Sequence, residues 1–142
     1  MKVIVLGAGL VGRPMAIDLS QDSTFDVTVA DINQGALDQL HADHDSIQVR
    51  CEDLSKPERV KEVVADYDIV LNAVPGFMGY QTLIAIIESK KNVIDIAFCP
   101  EDVLELDALA RRHLERGAQA RVLVLGAREL DLEADDAVDD PL

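Results

Sequence analysis

Short apolar runs alternate along the chain with stretches in which apolar residues recur every three or four positions. A short run bounded by turn residues predicts a buried strand, and the longer spacing predicts an amphipathic helix. The predicted strands are Val3–Leu6, Asp26–Ala30, Ile47–Val49, Asp68–Ala73, Asn92–Ile96 and Arg121–Leu125. The predicted helices are Leu10–Ser20, a segment capped by Asn33 and ending near His41, a segment starting at Ser55, Tyr80–Ser89 and Pro100–Arg116.

The third helix carries the clearest start signal. Ser55 is followed by Pro57 near the first helical position and by Glu58 three residues after the serine. This spacing is that of a capping box, in which the serine hydroxyl and the glutamate carboxylate each accept a backbone N–H. We therefore expect Ser55 to cap this helix.

Strand and helix alternate through nearly the whole chain, which predicts an α/β fold with a doubly wound parallel sheet. Six strands in the order 3-2-1-4-5-6 are expected, with helices on both faces. Residues 1–127 are predicted to form this single domain, and residues 128–142 an acidic, disordered tail.

Composition fits a sheet covered by helices. Hydrophobic residues make up 49% of the chain and aromatic residues only 4%, so the core must consist of Val, Ile, Leu and Ala. The net charge of −14 disfavours nucleic acid, because phosphate binding needs clustered Lys and Arg. No segment reaches the roughly 20 apolar residues that span a membrane. Cys51 and Cys99 form no CxxC pair, and two such thiols favour a reducing cytoplasm.

The strongest motif lies between the first strand and the first helix. Gly7, Gly9 and Gly12 have the GxGxxG spacing, and the strand before it and the helix after it supply the context that the motif requires. Gly7 permits the tight turn, Gly9 lets a pyrophosphate approach the backbone, and Gly12 lets the helix pack close to the sheet. The helix then directs unpaired N–H groups and its positive dipole end at the phosphates. This motif indicates a Rossmann dinucleotide-binding domain.

An acid downstream indicates which dinucleotide is bound. Asp31 ends the second strand, where a carboxylate accepts hydrogen bonds from the adenosine ribose hydroxyls. The same carboxylate repels a 2′-phosphate, and Ile32 and Asn33 rather than an arginine follow it. NAD is therefore favoured over NADP as the cofactor.

Three further stretches follow strands at the same edge of the sheet. Asp53 could bond the adenine amino group while Leu54 packs on the ring, or it could simply shape the loop before the third helix. The turn Asn72–Gly76 could pass close to the nicotinamide ribose, or could be an ordinary strand-to-helix loop. Asp95 could orient a substrate amine, or could bond a nearby backbone amide.

The remaining chemistry-bearing residues indicate no site. His41 and His44 stand three residues apart at a helix end, but no third metal ligand is evident, so no metal is expected. Neither cysteine looks activated, and no catalytic residue is assigned.

These residues resemble a known family. The stretches 3–14, 31–33, 72–77 and 93–101 are similar to the N-terminal NAD(P)-binding domain of the saccharopine dehydrogenase family, especially its lysine dehydrogenase-like members. Members transfer a hydride between a nicotinamide cofactor and the carbon that bears an amino acid's amine. The resemblance covers roughly residues 1–118.

The resemblance implies a role for individual residues. Those at the pyrophosphate would be Gly7, Gly9, Leu10, Val11 and Gly12. Asp31 would contact the ribose, and Asp53 and Leu54 the adenine. The nicotinamide side would be lined by Ala73, Val74 and Pro75, and the substrate bordered by Asp95 and Phe98.

The chain departs from the family after its sixth strand. Family members continue into a turn containing Pro-Gly and a second domain that closes over an amino-acid substrate, whereas here Gly126-Ala127-Arg128 leads into the acidic tail. We therefore expect this chain by itself to bind cofactor without efficient catalysis, since a cofactor domain alone lacks most of what orients a substrate. The substrate would become a partner only if a second domain is supplied.

Two alternatives stay open. Nucleotide-sensing domains that regulate potassium channels have this length, a similar glycine motif and a matching acid after the second strand, so a regulatory module is the rival hypothesis. A homodimer is also plausible, because Rossmann domains often pair through helices, and exposed Ala and Ile residues are expected in Tyr80–Ile87.

Overall fold

The fold is a three-layer α/β/α sandwich in a computed structural model that describes residues 1–97, 106 and 111–112 and the backbone of residues 122–124. The six strands are β1 Lys2–Leu6, β2 Asp26–Asp31, β3 Gln48–Cys51, β4 Ile69–Asn72, β5 Asn92–Asp95 and β6 Val122–Val124. The four helices whose bounds are described are α1 Gly12–Ser20, α2 Gln34–Asp43, α3 Pro57–Val64 and α4 Gly76–Glu88.

All neighbouring strands are parallel, and their order is β3-β2-β1-β4-β5-β6, which confirms the predicted doubly wound sheet. The chain moves outward from β1 to β3, then returns to place β4 on the other side of β1. This reversal puts the loops after β1 and β4 on diverging courses and opens a crevice at the carboxyl edge of the sheet.

Each face of the sheet has its own apolar core. One core packs β-strand residues such as Ile4 and Val70 against α3 and α4, and includes Val60, Val63 and Ile86. The other packs residues such as Val5 and Val29 against α1 and α2. Strands β1, β2 and β4 are buried on both faces, as their near-continuous apolar runs predicted, whereas the edge strand β3 is only partly buried.

Three predicted helix starts need correction. The first helix begins at Gly12 rather than Leu10, because the glycine turn takes the intervening residues. The fourth begins at Gly76 rather than Tyr80: Pro75, with φ −54°, is its N-cap, and proline is well suited to a helix start. At α3 the N-cap is Lys56 and no side chain caps the helix, so the predicted capping box is wrong.

The third strand starts later than predicted, and the last predicted helix is only partly described. The third strand is Gln48–Cys51, one to two residues later than predicted. Of the predicted helix Pro100–Arg116, the described residues Leu106, Arg111 and Arg112 are helical. The tail and Cys99 lie outside the described residues.

Most apolar residues of Tyr80–Ile87 are buried rather than exposed, and Tyr80 and Ile84 are partly buried. Leu83, Ala85, Ile86 and Ile87 all lie in the core against the sheet and α3. The expected exposure of Ala and Ile residues on this helix is therefore wrong for Ala85, Ile86 and Ile87, and a homodimer stays a prediction. Within the described part of the chain, no helix is long and apolar enough to cross a membrane.

Candidate functional site

The predicted site residues converge on the carboxyl edge of the sheet. The loops that follow β1, β2 and β4 are held against one another by backbone hydrogen bonds. Gly7 N–H donates to the Ala30 carbonyl at 2.8 Å, and Ala73 N–H donates to the Leu6 carbonyl at 2.9 Å. The glycine turn, the acid after β2 and the turn after β4 thus form one continuous rim around the crevice.

Gly7 and Gly12 are required by the packing of the turn itself. Gly7 has φ +105°, a conformation that side-chain-bearing residues rarely adopt, and a Cβ there would lie 2.6 Å from the Ala73 carbonyl oxygen. A Cβ on Gly12 would overlap the carbonyl oxygen of Gly7. Gly7 thus allows the tight turn to lie against the loop after β4. Gly12 allows α1 to lie against the turn.

Gly9 differs, because the space above it is open. A Cβ built on Gly9 meets no atom within 4 Å. Beside it, the N-cap of α1 is the apolar Val11, which makes no side-chain capping bond. The Arg13 N–H donates to the Gly9 carbonyl at 3.1 Å, whereas the other N–H groups at the start of a helix lack intrahelical partners. The turn therefore offers an open backbone cradle at the positive end of a helix, which suits a diphosphate.

Asp31 is fixed beside this cradle by two backbone donors. Ala8 N–H donates to its Oδ2 at 2.7 Å, and Asn33 N–H donates to its Oδ1 at 2.8 Å. A carboxylate has about four lone-pair sites, so each oxygen keeps an acceptor position for a hydroxyl ligand. The carboxylate is partly exposed at the rim, and its orientation is set before any ligand arrives.

Apolar side chains surround the cradle in solvent. Leu10 is 98% exposed, Val11 55% and Ile32 69%, and Phe77 at the start of α4 is 82% exposed. Leu10 thus keeps nearly all of its contact with water, and each of the others keeps more than half. Leu10 and Val11 belong to the glycine turn itself, so a ligand seated on that turn would cover them.

The adenine side of the predicted site is shaped by the loop after β3. Asp53 Oδ1 accepts the Ser55 hydroxyl at 2.6 Å and the Ser55 N–H at 3.1 Å. These hydrogen bonds, with a smaller contribution from Lys56, lower the pKa of the Asp53 carboxyl. Asp53 thus has the loop-shaping role that the sequence left as an alternative, and its contact with adenine stays a prediction.

A shallow cavity of about 240 Å³ lies next to this loop. Its walls include Leu54 from the loop before α3, Pro57 at the start of α3, and Phe77, Met78 and Gln81 from α4. Leu54 itself is 7% exposed and belongs to the core. Phe77 and Met78 lie before the predicted helix start at Tyr80, which is one turn too late, and Pro75 was the signal for the earlier start.

On the nicotinamide side, Asn72 and Asp95 are paired in the register of β4 and β5. Both side chains are completely buried, and Asn72 Nδ2 donates to Asp95 Oδ1 at 2.6 Å. Burial raises the pKa of Asp95 to about 6, against the opposing effects of hydrogen bonds from Asn72 and the Ala97 N–H. The sequence placed Asn72 in a turn but missed this partnership, which depends on strand register.

The other predicted residues are placed as follows. Ala73 is partly buried and Val74 is buried at the turn after β4, and Pro75 is exposed at the start of α4. Phe98 lies outside the described residues. Among the residues described, no group of three His, Cys, Asp or Glu side chains is placed to hold a metal ion.

Sequence comparison gives a match over most of the chain. Residues 3–126 match the family model described as the saccharopine dehydrogenase NADP-binding domain. A bovine (Bos taurus) protein, mitochondrial α-aminoadipic semialdehyde synthase, is 27% identical over 106 residues, which are 75% of this chain and 11% of that protein. The chain thus spans about a tenth of that relative's length.

Solved structures share the fold. Apo saccharopine dehydrogenase (L-Glu forming) from Saccharomyces cerevisiae superposes with a TM-score of 0.71 and 22% identity, covering 87% of this chain and 26% of that one. GenD2 from gentamicin A biosynthesis, solved in complex with NAD, gives a TM-score of 0.68 and 22% identity, covering 87% and 34%. The family match supports a nicotinamide cofactor and leaves the choice between NAD and NADP open.

Proposed function

Because the chain belongs to the family of saccharopine dehydrogenase NADP-binding domains, we propose that it binds NAD, in preference to NADP, as the cofactor module of an amino-acid oxidoreductase. The observation that carries the proposal is the open backbone above Gly9 at the uncapped start of α1, with the Asp31 carboxylate fixed beside it. The pyrophosphate would rest on the turn 9–12, and the ribose of the adenosine half would bond Asp31.

The preference for NAD rests on charge. A 2′-phosphate next to Asp31 would meet a carboxylate already held in place by two backbone N–H groups. No Lys or Arg follows Asp31 before Arg50, and Arg50 is bound at 2.9 Å to Glu52. Like charges at contact distance in a partly exposed site cost on the order of 1–4 kcal/mol.

The nicotinamide, when bound, would accept or supply a hydride at the amine-bearing carbon of an amino acid. In the proposal this chain's residues bind and orient the cofactor: Ala73, Val74 and Pro75 border the nicotinamide half, and Leu54 packs near the adenine. The solved relative's name, saccharopine dehydrogenase, supports this substrate class. An amino-acid substrate would also need residues that these elements do not supply, so we propose that the chain alone has weak or no dehydrogenase activity.

The first experiment is a calorimetric titration of the chain with NAD, NADP and ATP. We expect NAD to bind best. Asp31→Ala should lower the affinity for NAD by about tenfold, because one to two hydrogen bonds to a charged group are lost. Asp31→Ala should also abolish the preference over NADP. Asp18→Ala, which removes the same charge from the exposed surface of α1, is the matched control and should leave both affinities unchanged.

Two outcomes would count against the proposal. If ATP binds more tightly than NAD, the nucleotide-sensing module becomes the better account of the same glycine turn. If Asp31→Ala keeps the preference for NAD over NADP, the ribose contact is wrong. Asp31→Ala also removes the acceptor of the Ala8 and Asn33 hydrogen bonds and could destabilise the turn. Asp31→Asn serves as a second variant, because it removes the charge and keeps the shape of the side chain.

A further inference from the structure

A completely buried amide and carboxyl form the floor of the crevice beneath the turn after β4. Asn72 ends β4, Asp95 ends β5, and neither side chain reaches solvent. The Asn72 side-chain Nδ2 also lies 3.5 Å from the Gly79 carbonyl on α4, and the Asn72 backbone carbonyl accepts the Ile96 N–H at 3.0 Å. Among the described residues, the Asp95 carboxyl is bonded by the Asn72 amide and the Ala97 N–H. Because it is completely buried, it does not contact a substrate in this arrangement.

One oxygen of each side chain lacks a hydrogen-bond partner among the described residues. These are Asn72 Oδ1 and Asp95 Oδ2. A buried polar atom left unpaired keeps the full cost of losing its water. An ionised carboxylate is an acceptor only, whereas a protonated carboxyl carries one O–H donor. A single proton on Asp95 therefore supplies the donor that the Asn72 amide oxygen needs.

The observed bond holds the two side chains against each other. It runs from Asn72 Nδ2 to Asp95 Oδ1 at 2.6 Å and leaves Asn72 Oδ1 and Asp95 Oδ2 for a second bond. A proton on Asp95 Oδ2 that is donated to Asn72 Oδ1 would complete this pair.

Among the residues that the structure describes, no charged group is placed to stabilise an ionised Asp95. The packed strands β4 and β6 carry no titratable residue. On α4 the titratable residues are Tyr80 and Glu88, and Glu88 lies at the far end of the helix, where its carboxylate binds Lys61 at 2.8 Å. The helical Arg111 and Arg112, beyond the core residue Leu106, are exposed. Burial without a compensating cation favours the neutral carboxyl.

We propose that Asp95 is a positioning residue that acts as an uncharged carboxyl: paired with Asn72, it ties the ends of β4 and β5 under the Ala73–Pro75 turn, and loss of its proton loosens that turn and weakens cofactor binding. An ionised carboxylate in this apolar position costs free energy, which the chain relieves by separating the strand ends. This role replaces direct contact of Asp95 with the substrate.

Carbon-13 NMR of the aspartate-labelled chain tests the protonation state directly. One carboxyl signal, identified by its absence in Asp95→Asn, should titrate near pH 6 instead of near 3.8. Asp26→Asn, which removes an exposed carboxyl at the opposite edge of the sheet, should leave that titration unchanged. A midpoint for Asp95 at the ordinary value of an exposed aspartate overturns the proposal.

The pH dependence of the free energy of unfolding tests the neutral carboxyl independently of NMR. A carboxyl whose pKa is higher in the folded chain contributes stability that is fully present below pH 3.8 and is lost as the pH rises through about 6. The free energy of unfolding of the wild type, relative to Asp95→Asn, should fall over this range and then stay constant. A difference that rises with pH contradicts the proposal.

The predicted effect of Asp95 on cofactor binding rests on the proposed function. NAD affinity of the wild type should be at least about threefold lower at about pH 8 than at about pH 5, because the neutral pair is lost. Asp95→Asn, whose amide stays neutral, should show no such dependence. A flat wild-type profile, or the same dependence in the variant, overturns the positioning role. If the chain binds no NAD at either pH, the proposed function fails, while the NMR and unfolding arms still decide whether the pair is neutral.

Discussion

The three glycines of the turn meet three different physical constraints. Gly7 is needed for its backbone conformation, Gly12 for the approach of α1 to the turn, and Gly9 for the space above it. The first two constraints exist in the chain without any ligand. The third has meaning only if something occupies that space. Substitutions at Gly12 and Gly9 therefore separate folding from binding.

Gly12→Ala should destabilise the fold. Its Cβ would overlap a backbone oxygen that has no freedom to move aside, and overpacking of this kind costs at least about 2 kcal/mol. Urea denaturation followed by circular dichroism measures the loss. Gly35→Ala in α2 is the control, because its Cβ meets its nearest atom at an ordinary 3.5 Å, and it should not lower stability. Equal unfolding midpoints for Gly12→Ala and the wild type would refute the packing role.

At this scale, sequence predicts what the backbone dictates. The glycine spacing and Asp31 could be predicted because a turn between a strand and a helix fixes the positions of residues close to it in sequence. The Asn72–Asp95 contact could not, because it joins residues 23 positions apart through the register of two strands. The sequence does show that a polar residue stands at the end of each strand, Asn72 in β4 and Asp95 in β5. It does not show that the two face each other, because that depends on the register.

Helix starts show the same division at the scale of elements. Asn33 caps α2 as predicted: it has an extended backbone, and its side chain accepts the Ala36 N–H at 3.1 Å. Ser55 fails as a cap because Lys56 occupies the N-cap position before Pro57, one residue later than the predicted cap. The Ser55 hydroxyl bonds Asp53 instead. A motif with the right residue spacing is thus insufficient when the chain enters the helix one residue later.

These two residues make a matched pair of alanine variants. Asn33→Ala should cost about 1 kcal/mol of unfolding free energy, because an N–H of the first turn of α2 loses its acceptor. Ser55→Ala should cost less than about 0.5 kcal/mol, since it breaks only a surface bond. Thermal unfolding of both variants gives the comparison. Similar losses for the two would show that Ser55 caps α3 after all.

For the whole molecule, the alternation of strands and helices was enough to predict the sheet order, because parallel strands need helical crossovers and these crossovers have few allowed arrangements. The same topology gathers the loops after β1, β2 and β4 at one edge, so the position of the site could also be predicted. The expected exposure of Ala and Ile residues on α4 was wrong. Apolar residues nearly surround this helix, so the spacing of apolar residues does not tell which side is exposed.

The central claim is that a dinucleotide occupies the open space above Gly9, and Gly9→Ala tests it most directly. The added Cβ meets no atom of the chain within 4 Å, so the urea unfolding midpoint should match that of the wild type. The same Cβ would collide with a pyrophosphate, so calorimetry should show NAD affinity reduced by at least about tenfold, or 1.4 kcal/mol. If Gly9→Ala binds NAD as tightly as the wild type, the cofactor does not lie on this turn.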